Sequence, residues 1–180
     1  MTAKKNILAI CGSTRENSAN KDIIEIITKL GQEQFTITNF DISTLPHFNQ
    51  DLSNENVPTS VIEFREAISK ADSVLICTPE YVFSLPGILK NAIEWTVSTT
   101  IFSDKTTALI TASSSGEKAH ESLLLVMNTL GIKTNTDLCL LISGVKSKLN
   151  MQGEVIDPVL NEQLQRLVAT IADSEKNLYL

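Results

Sequence analysis

This chain of 180 residues is short of aromatics, of arginine and of positive charge in general. Aromatic residues make up 5% of it, so each one needs a reason for its place. Arginine occurs only at Arg15, Arg65 and Arg166, and the formal net charge is -6. That balance argues against a nucleic-acid partner, because binding a polyanion needs a basic face. No apolar run approaches the ~18 residues that a spanning helix requires, so no membrane span is expected. The opening MTAKKNILAI has an apolar run too short for a secretory leader, and polar CGSTRENSAN stands where a cleavage site would be. A cytoplasmic location is therefore expected. Cys11, Cys77 and Cys139 are isolated and lack C-x-x-C spacing. They point to neither a disulfide framework nor zinc, and they suit a reducing compartment. The chain also contains no G-x-G-x-x-G and no G-K-[ST]. A pyrophosphate or a nucleoside triphosphate on a glycine-rich loop is thus not provided for.

What is present is a regular alternation. Apolar residues make up 42%, enough for a sizeable core, and residues 1–180 are read as one domain. Strand-length apolar runs occur at 6–11, 35–40, 73–78, 106–113 and 136–143. Helical spacing occurs at 21–30, 61–71, 86–95, 117–131 and 158–172. Five β-α units whose strands are apolar on both faces predict an α/β three-layer sandwich, with a parallel sheet and helices on both sides. The expected fold class is flavodoxin-like, with strand order 2-1-3-4-5; the six-stranded dinucleotide fold needs about one more unit. That order sets strand 1 beside strand 3, with the ligand crevice at their carboxyl ends.

Two loops would meet there. CGSTRENSAN (11–20) offers Ser13, Arg15, Ser18 and Asn20 ahead of a helix N-terminus, an anion site of the right size for one phosphate. A plainer reading is that Ser18 or Asn17 caps the helix and the rest is solvated. TPEYVFSLPG (78–87) alternates Tyr81 and Phe83, so an extended loop would point both one way as a surface for a flat ring. Packing of both aromatics beneath the loop is the alternative.

The pattern G-S-x-R-x-x-S-x-N after strand 1, with P-E-Y-x-x-S-x-P-G-x-L-K-N-A-I-[DE]-W after strand 3, resembles the NADPH-dependent FMN reductase family. That family includes flavin, quinone, azo-dye and chromate reductases, and the resemblance extends through MQGEVIDPVL to the last helix. It implies non-covalent FMN, with Ser13, Arg15, Ser18 and Asn20 at the phosphate and ribityl end. Pro79, Glu80, Tyr81 and Val82 would border the ring, and Ser113, Ser114 and Gly116 would close its other side. It also implies NADPH as reductant, a small-molecule electron acceptor, and a homodimer or homotetramer. The apolar surplus of 117–131, Leu123–Met127 with Leu130, is expected to pack against a second subunit.

The chain departs from the family pattern at one place. The usual motif reads P-E-Y-N, and here position 82 is valine. A β-branched residue favours an extended backbone, so the loop shape is expected to survive with FMN held less tightly on a more apolar shelf. Hydride transfer to a flavin needs no protein acid or base, so no catalytic side chain is nominated, and His47 and His120 are read as surface or packing residues. An FMN-binding electron carrier or a redox-sensing protein without nicotinamide turnover is the alternative function.

Overall fold

The computed structural model describes residues 4–177. Its elements are β1 (Lys5–Cys11), α1 (Ala19–Leu30), β2 (Phe35–Phe40), α2 (Thr59–Lys70), β3 (Ser73–Thr78), α3 (Gly87–Glu94), β4 (Thr106–Ser113), α4 (Glu117–Thr129), β5 (Cys139–Ser143), α5 (Val145–Lys148) and α6 (Pro158–Asn177). The five strands form one parallel sheet in the order β2-β1-β3-β4-β5. All six residues of the central β3 are buried. Helices on both faces demand this, since neither side of a middle strand reaches water.

Side chains alternate between two cores along each strand. Ile7, Ala9, Leu75, Cys77, Ile110 and Ala112 face α1 and α6. Leu8, Ile10, Val74, Ile76 and Leu109 face α2, α3 and α4. The strand period of two supplies both cores at once, and the i, i+3, i+4 spacing of Ile23, Ile24 and Ile27 lets α1 fill one of them.

Strand 5 starts later than the sequence suggests. Asn135 accepts hydrogen bonds at Oδ1 from the N–H groups of Asp137 (2.9 Å) and Leu138 (3.1 Å), which curls 136–138 into a 3-10 turn. The strand then begins at Cys139. Short α5 has no counterpart in the sequence reading. Of the apolar surplus on α4, Leu123 and Met127 are fully buried, and Leu124, Val126 and Leu130 are partly buried against the same core. Leu125 alone of that set stands well out, at 68% exposure.

The irregular segment after β2 is fastened by the motif that follows β3. The indole Nε1–H of Trp95 and the amide of Asn91 both donate to the Pro46 carbonyl, at 2.8 and 3.0 Å. Asn91 Oδ1 accepts from Phe48 N–H at 2.7 Å, and the Phe48 ring meets Trp95 edge-on at 5.2 Å. Arg65 closes the arrangement by donating to the carbonyls of Trp95 and Ser53. Asn91 and Trp95 thus hold a loop in place, and an apolar helix has a physical reason to carry them.

Candidate active site

The carboxyl ends of β1, β3 and β4 carry the three loops that the sequence singled out. Cys11 of β1 lies in register with Cys77 of β3, and Cys77 in turn with Ile110 of β4. The loop after β1 leaves the sheet at Gly12, whose N–H donates to the Cys77 carbonyl at 2.8 Å. A Cβ there would overlap Thr78 Oγ1 and press on Leu89 at 3.3 Å. Glycine is what lets this loop lie against β3 and α3.

Ser18 caps α1, its Oγ accepting from Asn20 N–H at 3.3 Å. Ser13 Oγ accepts from Arg15 N–H at 3.4 Å. Each hydroxyl still has a proton to donate. The N–H groups of Thr14, Glu16, Asn17 and Ser18 meet no acceptor among the described residues. They stand at the positive end of α1, and the exposed Arg15 adds a full charge. Asn20 is placed differently. Its amide nitrogen donates to the Ala112 carbonyl at 3.1 Å, and its Oδ1 accepts from the Cys77 thiol at 3.3 Å. Asn20 is buried and bolts the head of α1 to β3 and β4.

The loop after β3 is not extended. Tyr81 and Ser84 exchange both backbone hydrogen bonds, at 3.0 and 3.1 Å. Val82 and Phe83 between them have φ of 52° and 55°. Two left-handed residues in a two-residue connection are the signature of a tight hairpin turn. The expectation that Tyr81 and Phe83 point one way along an extended loop is therefore corrected. Neither aromatic packs beneath the loop: Tyr81 is 43% exposed and Phe83 77%. The β-branched preference of Val82 for extended backbone, invoked for the loop's survival, runs against the conformation found. A left-handed L-residue costs roughly 1–2 kcal/mol, and asparagine is far better tolerated there. This gives the family's asparagine a backbone role at position 82. Val82→Asn is expected to stabilise the protein by about 1 kcal/mol, raising Tm by roughly 2–4 °C. A thermal melt without flavin checks it, and an unchanged or lower Tm would show that the turn carries no such strain.

Glu80 does not turn its carboxylate toward the turn. Its two oxygens accept from Gly116 N–H at 3.3 Å and Ala119 N–H at 3.0 Å, capping α4 from a different loop. Its own N–H donates to Ser113 Oγ at 3.3 Å. Gly116, with φ of 101°, is left-handed, and a Cβ on it would sit 2.9 Å from Leu141. The far side of that loop is braced by Gly144 N–H on the Ser114 carbonyl and Ser143 Oγ on the Ser115 carbonyl. Pro79 is buried beneath, while Ser114 is open to solvent. The structure thus brings together the loops 79–84 and 113–116, with Ser113 and Glu80 as the tie.

No side chain here is tuned as a nucleophile. Burial pushes the Cys11 thiol up and the Cys77 thiol well up, so both stay protonated. His120 is half-buried, with Nδ1 3.0 Å from Thr111 Oγ1, and burial lowers its pKa. His47 is exposed in the 46–50 segment. What the arrangement offers is a row of unpaired N–H donors for an anion at one end, and two tethered loops with apolar side chains at the other. A phosphate joined to a flat polar ring has that form, and the residues present fit FMN on the chemistry of these donors.

Comparison with known proteins agrees. A family model described as NADPH-dependent FMN reductase matches residues 5–145. An NAD(P)H-dependent FMN reductase of Pseudomonas aeruginosa is 32% identical over 165 residues, covering 89% of each chain. An NADPH:quinone oxidoreductase of Arabidopsis thaliana is 29% identical over 174 residues, covering 92% of this chain and 89% of that one. Among solved structures, the flavoenzyme NAD(P)H:(acceptor) oxidoreductase FerB of Paracoccus denitrificans superposes with a TM-score of 0.78 at 25% identity, over 98% of this chain and 100% of that one. The chain belongs to the NADPH-dependent FMN reductase family, and it is an oxidoreductase that works with FMN and a reduced nicotinamide.

Proposed function

We propose that the protein passes electrons from NAD(P)H to a quinone or a similar small acceptor through FMN held at the carboxyl ends of β1, β3 and β4. The observation that carries this is the set of N–H groups of Thr14, Glu16, Asn17 and Ser18 that meet no acceptor among the described residues, together with the Glu80-tethered loops after β3 and β4. Ser13, Ser18 and Arg15 hold the phosphate; Pro79, Tyr81 and Val82 border the ring on one side, and Ser113, Ser114 and Gly116 on the other. Asn20 and Glu80 serve as positioning residues for these loops. Bound FMN would supply the hydride chemistry, so the protein needs to bind, orient and exclude water, and no side chain has to move a proton. Reductant and acceptor use one shelf in turn, which makes the cycle ping-pong. The exposed Val82 and Phe83 at its rim favour apolar acceptors.

The assembly we propose is a homodimer or homotetramer. Leu125, Val82 and Phe83 are among the exposed apolar side chains available for it once α4 has packed on its own core. The purified protein should be yellow, should oxidise NADPH steadily when a quinone is supplied, and should sediment above the monomer mass. A yellow protein that never turns over a nicotinamide would favour an electron carrier. A colourless one in excess FMN would sink the reading altogether.

A further inference from the structure

A cavity of ≈ 680 Å³ continues the flavin site on the side away from the ring. Its mouth is Cys11, Ser13 and Thr14, where the phosphate loop begins. From there it runs over the carboxyl end of β2, between α1 and the turn at 42–44. Strand order fixes which way that is, because β2 and β3 flank β1 on opposite sides. A flavin anchored by its phosphate on the loop after β1 has its ring toward the loops after β3 and β4. The space over β2 therefore lies beyond the phosphate. FMN ends at that phosphate, so it occupies the mouth and leaves the rest. Small-molecule pockets run ~300–1,000 Å³, and one phosphate takes little of such a volume.

The remainder has the chemistry of a nucleotide site. Ile24, Ile37, Phe40, Ile42 and Ile88 wall it with apolar surface on which a flat base can lie. Lys21, in the first turn of α1, lines it with no hydrogen-bond or ion-pair partner for its ammonium among the described residues. The Lys21 charge reaches both Cys11 at the mouth and Asp41 at the far wall, favouring the ionised form of each. Asp41 Oδ1 accepts from Ser43 N–H at 2.9 Å, which fixes the carboxylate as an acceptor for ribose hydroxyls. Glu25 lines the same wall and is paired with Lys29 at 2.9 Å.

We infer that the flavin site extends across β1 into this cavity and accepts FAD as well as FMN, with the adenylate half over β2. The inference rests on the flavin site proposed above. FAD repeats FMN as far as the phosphate, so the N–H groups of Thr14, Glu16, Asn17 and Ser18 serve both molecules. Its second phosphate stands past the loop, within the field of Lys21. No glycine-rich loop is needed, because the two phosphates are met by different groups. The adenine then lies between Phe40 and the isoleucines, and Asp41 accepts from the ribose diol.

The apo-protein is titrated calorimetrically with FMN and, separately, with FAD. FAD is expected to bind about tenfold more tightly, since burying a base adds to the shared flavin contacts. Asn39 is exposed on the edge strand and lines the cavity, and tryptophan is at home in a strand. Asn39→Trp fills the cavity and should bring FAD to or below FMN, with FMN affinity held within about twofold. Lys21→Gln should weaken FAD about fivefold and FMN less, and its effect on FAD should shrink as salt rises. FAD binding more weakly than FMN to the native protein overturns the proposal. So does an Asn39→Trp or Lys21→Gln effect of equal size on both flavins. Tight FMN without FAD leaves the flavin site standing and removes only the extension, whereas binding of neither flavin removes both.

Discussion

Replacing Glu80 by alanine is expected to cost about 1–2 kcal/mol of stability and most of the FMN affinity together. Hydrogen bonds to a charged group contribute roughly 1.5–3 kcal/mol when buried, and partial exposure of Glu80 brings the figure down. Its two acceptors serve the N–H groups of Gly116 and Ala119, so the variant leaves two donors at the head of α4 unsatisfied. It also unties the loop 79–84 from the loop 113–116, the two walls assigned to the flavin ring. For a chain of this size the stability loss reads as a Tm drop of roughly 2–8 °C. Glu80→Gln keeps one acceptor and should fall between. Melting curves and an FMN titration by fluorescence quenching are the measurements. A Glu80→Ala protein with native Tm and native affinity would mean that the tie has no mechanical role.

The second large effect belongs to the phosphate end. Arg15→Ala should weaken FMN binding about tenfold, and Arg15→Ala with Ser18→Ala about a hundredfold, each tenfold step being about 1.4 kcal/mol. Ser18 complicates the double variant because its Oγ caps α1. About 1 kcal/mol of helix stability goes with it, so the melt should shift while the protein still folds. Arg15 is exposed, so its share should shrink as salt rises and that of Ser18 should not. Titrations of the apo-protein at low and high ionic strength separate the two. Unchanged affinity in the double variant would leave the loop as a helix cap and nothing more.

Much of this molecule was legible along the chain, and the reason lies in periodicity. Ile7–Ile10, Val74–Cys77 and Thr107–Ala112 are buried on both faces because helices cover both faces, so each strand reads as a continuous apolar run bounded by helical spacing. Five such units leave few topologies, and the strand order follows from packing rules rather than from any single residue. The head of α1 was legible for the same kind of reason: a Ser-rich turn before an apolar helix is a cap whether or not it holds a ligand.

What the sequence could not disclose is where polar side chains spend their hydrogen bonds. Asn20 and Glu80 sit in the motifs as ligand residues would, yet Asn20 reaches Ala112 and Glu80 reaches Gly116 and Ala119. Those partners are 92, 36 and 39 residues away, and no local pattern encodes them. Asn91 and Trp95 likewise look like the polar and aromatic edges of a helix until Pro46 comes to meet them. Val82 is the clearest case. Its own preference is extended, and tertiary structure holds it left-handed because Tyr81 and Ser84 must close their two hydrogen bonds between fixed ends at β3 and α3. Backbone and apolar periodicity are local and survive in one dimension. Long-range polar pairing and strain are settled only when the strands have brought distant loops together.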